Sequence, residues 1–148
     1  MRVIMTGGGT GGHIYPAIAI ADEIKRRYPD AEILFVGAER GLEKTLVPKR
    51  GYNIRLITVE GFDRKNLIRN VSVVRKLMKG SAQARKIIRD FRPDFVVGTG
   101  GYASAPMVKA ANVRGIFRPS PVICVIYSLP VLRITAPAQK NRVILMTP

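Results

Sequence analysis

Between Gly7 and Gly12 five of six residues are glycine, Thr10 being the exception, and His13 and Tyr15 follow directly. A run without Cβ atoms lets the backbone take positive φ and lets a ligand come close to its amides. The element behind it decides what that ligand is. Pro16 and the apolar residues Ala17, Ile20, Ala21, Ile24 and Tyr28, spaced by three and four, predict a helix from Pro16 to about Tyr28. Its free N–H groups and positive dipole end face the glycines, so the chemistry is capture of an anion, a phosphate or a diphosphate.

Three readings of this loop compete. Gly7, Gly9 and Gly12 fit the G-x-G-x-x-G spacing of dinucleotide sites, with Glu39, just past the apolar run Ile33 to Val36, as the acid for a ribose. A triphosphate P-loop needs Lys and then Ser or Thr after its last glycine, whereas His13 and Ile14 stand there. A plain strand-to-helix turn needs one or two glycines rather than five.

The elements that must position the loop follow from hydrophobic pattern. Val3 to Met5 is a strand, Glu32 to Gly37 a second, buried on both faces, and Gly41 to about Lys49 a short helix. Asn53 to Val59 is a third strand and Gly61 to Lys65 a loop. From Asn66 to Phe91 runs the longest periodic segment, in which Leu67, Val71, Val74 and Met78 share one helical face and Gly80-Ser81 stands where a kink or a break belongs. Phe95 to Val97 is a fourth strand, followed by a second glycine turn, Gly98 to Gly101. A helix from about Ala105 to Val113 and a strand from Pro121 to Tyr127 close the series.

Strands alternating with helices imply right-handed βαβ units and a Rossmann-like, doubly wound α/β fold with a mostly parallel sheet. Ligands in such folds sit beyond the carboxyl ends of the strands, where the strand order reverses. Strands one and four flank that reversal, so both glycine turns face one crevice. Thr99, Gly100 and Gly101 thereby join Gly9, Gly11 and Gly12, with His13 and Tyr102 at the margin.

Composition sets limits. A chain of 148 residues fits one domain, and 47% apolar residues suit a folded core. No apolar run approaches the ~20 residues of a membrane span, and Met1-Arg2 leads into a strand rather than a signal peptide. The single cysteine, Cys124, excludes an internal disulfide and a cysteine-based metal cluster, as suits a reducing cytoplasm. A formal charge of +15 calls for an anionic partner. Ten of the basic residues lie between Arg64 and Arg92 with one acid, Asp90, among them. On a helix, Lys and Arg are good formers on a solvated face. Arg69, Arg75, Lys76 and Lys79 beside Val71, Val74 and Met78 also make a basic amphipathic surface suited to anionic headgroups. Nucleic acid is the rival partner, but the chain has no Trp and no aromatic residues interleaved with the basic helix.

Four stretches together carry a resemblance: Thr6 to Pro16, Phe35 to Glu43, Gly61 to Lys65 and Val97 to Pro106. In order and spacing they resemble the MurG family, the N-acetylglucosamine transferases that act on the lipid-linked muramyl-pentapeptide intermediate of peptidoglycan. The match extends to about Gly115. It implies a two-lobed inverting glycosyltransferase of the GT-B type, with an N-terminal lobe for the lipid-diphosphate acceptor and a C-terminal lobe for UDP-N-acetylglucosamine. It implies that Thr10, Gly11 and Gly12 reach the donor across the cleft. Tyr15 and Tyr102 suit packing across the two loops as well as ligand contact. The resemblance further implies a peripheral position on the cytoplasmic face of the membrane, with the sugar nucleotide as substrate and no cofactor. His13, the only histidine, is then the first candidate for a general base, although at a helix N-terminus it also suits ligand contact or packing.

The chain departs from the family in two places. Ile123 to Ser128 lacks the polar His-Glu-Gln-Asn group that the family shows after its fifth strand. From about 116 to 148 the sequence diverges, with a proline-rich, acid-free stretch from Phe117 to Lys140 and one possible strand, Arg142 to Met146. The donor lobe, on the order of 150 to 200 residues, has no counterpart. The expectation is one acceptor-side domain over 1–148, inactive alone.

Overall fold

The structure, a computed structural model, describes residues 1–59, 69–112 and 122–124. The expected loop at 61–65, the start of the long helix at 66–68, and the expected tail features, including the strand at 142–146, lie outside the described residues. The elements run β1 (Arg2–Gly7), α1 (Gly11–Arg27), β2 (Glu32–Ala38), α2 (Glu43–Lys49), β3 (Asn53–Ile57), α3 (Arg69–Phe91), β4 (Phe95–Gly100), α4 (Ser104–Asn112) and β5 (Val122–Cys124). The five strands form one sheet in the order β3-β2-β1-β4-β5, and every pairing is parallel. This is the doubly wound arrangement expected, with β1 and β4 adjacent at the reversal.

Alternation along each strand divides the core in two. Ile4, Leu34, Val36 and Val96 face α3 and α4, packing with Ala84, Ile87, Ile88 and Met107. Val3, Met5, Ile33, Phe35 and Val97 face the other way, onto Ile14, Ala17, Ile18 and Ala21 of α1 and Val47 of α2. Burial on both faces is why these strands read as unbroken apolar runs. A fully buried aliphatic side chain such as Ile4 or Ile14 contributes about 1.5–3 kcal/mol.

Three elements differ from expectation. Helix α1 starts at Gly11, five residues before Pro16, because Thr10 is extended (φ −131°, ψ 159°) and the chain turns helical directly after it. Pro16 therefore lies in the second turn, and its missing N–H leaves the Gly12 carbonyl without its usual helical donor. Strand β4 continues through Gly98 and Thr99 to Gly100, so most of the second glycine turn is extended chain.

Helix α3 runs unbroken through Gly80-Ser81. Gly80 is a close-approach residue: a Cβ there would stand 2.6 Å from the Thr58 carbonyl oxygen and 2.7 Å from Val59 Cγ1. That approach fixes which face packs. Val73, Gly80, Ala84, Ile87 and Ile88 are buried, whereas Met78 is 71% exposed. The face marked by Leu67, Val71, Val74 and Met78 is thus not the packed one at Met78; small residues chose the neighbour.

Candidate functional site

The carboxyl ends of β1 and β4 are joined to each other. The Gly8 amide donates to the Gly100 carbonyl at 3.3 Å. Gly101, at φ +85°, lies so close to the Gly8 carbonyl that a Cβ would overlap it. Register shifts here: Thr6 pairs with Gly98 but Gly7 pairs with Gly100, leaving Thr99 as the extra residue of a bulge.

The bulge gives Thr99 a specific task. Its side chain is fully buried, and its hydroxyl donates to the His13 carbonyl at 2.7 Å. Its own carbonyl lies 3.1 Å from His13 Nδ1. A carbonyl only accepts, so Nδ1 carries the proton and Nε2 is the ring atom left to accept one. The same ring lies over Gly100, where a Cβ would stand 2.7 Å from Nδ1. Behind them the Ser104 hydroxyl lies 2.7 Å from the Gly100 carbonyl and 3.0 Å from that of Thr6, tying the start of α4 to both strands.

The donors left for an anion are few. The amides of His13 and Ile14 turn back to the Thr10 carbonyl at 3.2 and 3.3 Å. The Gly9 amide donates to Glu43 Oε2 at 2.9 Å. Gly11 and Gly12 open α1, so no helical carbonyl precedes their amides, and these sit at the positive end of a 17-residue helix. Thr10 is exposed and its hydroxyl makes no capping bond. Tyr15 and Tyr102 are 57% and 59% exposed, on the rim, with the Tyr15 ring 3.3 Å from where a Gly11 Cβ would stand.

Of the residues read from sequence, Thr10, Gly11, Gly12, His13, Gly100 and Gly101 thus meet at one edge. Gly9 and Thr99 have other work there, since the amide of one and the hydroxyl of the other are already bonded within the chain. Glu39 also stands at this edge, after β2, but its Oε1 accepts the Thr58 hydroxyl at 2.8 Å. Sequence reasoning passed over Glu43. Although 0% exposed, it looks in sequence like an ordinary acid in a helix's first turn. Glycines at 8, 37 and 41 were the available signal, because a Cβ at any of them would overlap its side chain. Thr6 Oγ1, near the end of β1, is a buried hydroxyl with no hydrogen-bond partner among the described residues.

On α3 the exposed residues include Arg75, Leu77, Met78 and Lys79, with Lys76 half-buried. The side chains of Arg69, Val71 and Val74 lie outside the described residues. Among the described residues no helix is long and apolar enough to cross a membrane, and no three His, Cys, Asp or Glu side chains cluster as metal ligands.

Residues 3–118 match the model of the glycosyltransferase family 28 N-terminal domain. The chain belongs to this family. Among curated members it is 58% identical over 116 residues to the UDP-N-acetylglucosamine–N-acetylmuramyl-(pentapeptide) pyrophosphoryl-undecaprenol N-acetylglucosamine transferase of Phocaeicola vulgatus, covering 78% of this chain and 31% of that one. It is 54% identical over 116 residues to the transferase of the same name from Clostridioides difficile, covering 78% and 28%. The crystal structure of Acinetobacter baumannii MurG superposes with a TM-score of 0.69 at 28% identity, over 84% of this chain and 35% of that one. The glycosyltransferase VinC, at a TM-score of 0.59 and 15% identity over 88% of this chain and 35% of its own, shares the fold. The chain spans about a third of the length of the family 28 relatives it matches, and its fold is that of the N-terminal domain of GT-B enzymes.

Proposed function

We propose that this chain is the acceptor-side half of an inverting transferase that moves N-acetylglucosamine from UDP-N-acetylglucosamine to an undecaprenyl-diphosphate-muramyl-pentapeptide. The observation that carries the reading is the pair of open amides, Gly11 and Gly12, beside a histidine whose Nδ1 is already committed to the Thr99 carbonyl. The identity of 58% to a transferase of that name supports the choice of substrates.

In this reading the acceptor hydroxyl attacks the anomeric carbon, the bond to UDP breaks with inversion, and His13 Nε2 takes the hydroxyl proton. The amides and dipole of α1 stabilise diphosphate charge; such preorganised donors are worth about 3–4 kcal/mol each where measured. Thr10, Gly11 and Gly12 face the donor, Tyr15 and Tyr102 border the cleft, and Gly9, Thr99, Gly100 and Gly101 hold its shape. UDP-N-acetylglucosamine is a substrate here rather than a resident cofactor. Its uridine falls to a C-terminal donor lobe beyond the acceptor half, without which the chain is inactive.

The lipid tail places the work at the cytoplasmic face of the membrane. Arg75, Lys76, Met78 and Lys79 form the contact, together with Arg69, Val71 and Val74; each cation near an anionic surface adds about 1 kcal/mol. Nucleic acid is not the partner in this reading.

Sedimentation with anionic vesicles, with and without the lipid-diphosphate acceptor and at two salt concentrations, tests both parts. Acceptor-dependent binding that survives salt is expected. Binding that ignores the acceptor and vanishes with salt would leave plain electrostatics, and a response to NAD(P) lost in Glu39→Ala would favour a dinucleotide module instead.

A further inference from the structure

Glu43 lies beneath the first glycine loop with both carboxylate oxygens engaged by backbone. Oε2 accepts the Gly9 amide at 2.9 Å and Oε1 accepts the Ala38 amide at 2.7 Å. One side chain thereby ties the loop after β1 to the end of β2. It does so inside a cage of missing Cβ atoms: Gly8, Gly37 and Gly41 all lie against the carboxyl group, which is 0% exposed.

We propose that Glu43 is a positioning residue for the diphosphate-binding loop, selecting which amides an anion meets. The proposal rests on the acceptor-lobe reading above. Gly9 is exposed, with nothing within 4 Å of where its Cβ would stand and with φ at +89°. Packing therefore does not hold it, whereas the Glu43 bond does. Bonded to a carboxylate, the Gly9 amide is withdrawn from the anion's donors, and the carboxylate's charge disfavours an anion over the Gly8–Gly9 half of the loop. The ligand is directed to Gly11 and Gly12, at the helix end and beside His13. Without this tie an exposed, glycine-rich segment would be free to turn its amides elsewhere, and ordering it would weaken binding.

Two measurements on the 148-residue chain test this. In the unsubstituted protein, amide exchange at Gly9, corrected for intrinsic rates, is expected to be about tenfold or more slower than at Gly11. Equal rates at the two amides overturn the proposal without any variant. In Glu43→Gln the charge is gone and the single amide oxygen can accept only one of the two backbone N–H groups, so the Gly9 bond is either lost or weakened. The expected result is faster Gly9 exchange and about tenfold weaker binding of inorganic pyrophosphate and of a short-chain polyprenyl diphosphate in micelles, with circular dichroism unchanged. Unchanged affinity in a folded Glu43→Gln overturns the positioning role. If the unsubstituted chain binds neither diphosphate, the acceptor-lobe reading fails and the functional half of the proposal with it, while slow Gly9 exchange would still establish the tie.

Discussion

Gly101 and Gly51 make a matched pair for measuring how tightly the two glycine loops are sutured. Both have positive φ, +85° and +79°, so alanine is strained at either position. Their surroundings differ: a Cβ at Gly51 meets nothing within 4 Å, whereas one at Gly101 overlaps the Gly8 carbonyl. Left-handed strain costs about 1–2 kcal/mol, and the reduced freedom of the unfolded chain returns about 0.4–1. Gly51→Ala should therefore lose about 0.5–1.5 kcal/mol. Gly101→Ala adds an overpacking cost of about 1–3 kcal/mol and should lose about 2–4 in all. With a urea m-value of about 2 kcal/mol/M, the midpoints fall by roughly 0.3–0.7 M and 1–2 M. Urea titration followed by circular dichroism reads both, and diphosphate binding should survive only in Gly51→Ala. Midpoints for the two variants within about 0.3 M of each other would refute the contact between the loops.

Three further outcomes follow from the same geometry. Thr99→Val keeps the shape but removes the hydroxyl bond to the His13 carbonyl, and should cost about 1 kcal/mol in chemical denaturation, with no loss if that bond is absent in solution. Thr6→Val removes a buried hydroxyl that lacks a partner among the described residues and should raise stability by about 0.5–2 kcal/mol; a decrease would mean that the hydroxyl is bonded after all. Tyr52 is pushed above its ordinary 10.0, first by burial and then by its bond to Asp22, so the fold holds that proton more tightly than the unfolded chain does. Its contribution is complete below pH 10 and is lost as pH rises beyond it; Tyr52→Phe should flatten the alkaline fall in melting temperature.

The parallel sheet and the adjacency of β1 and β4 were legible because continuous apolar runs, separated by helical periods, imply a doubly wound arrangement. The two glycine loops were legible for the same reason, since their place after β1 and β4 follows from connectivity alone. What escaped was how the loops are used. The Gly9 amide is bonded to a buried acid and the Thr99 hydroxyl to the His13 carbonyl across a bulge, and neither bond depends on local pattern. Glu43 escaped because its partners, Gly9 in the loop after β1 and Ala38 at the end of β2, are brought together only by the fold. On α3 periodicity gave a helix, but the small residues Gly80 and Ala84 decided which face meets the sheet.

The site is also assembled across a long stretch of chain: His13 bonds Thr99 86 residues later, and Ser104 bonds Thr6 across 98. At about 5–20 residues per second, a growing chain exposes the first glycine loop for roughly 5–20 seconds before its partner has been made. During that interval β1 can pair with β2, but its other edge stays open. A nascent chain halted before Thr99 would hold a helix and a loop with no ring orientation and no closed crevice, and would offer that open edge to other chains. The crevice between the two glycine loops is therefore closed late, and the open edge then passes from β1 to β4 until β5 pairs with it.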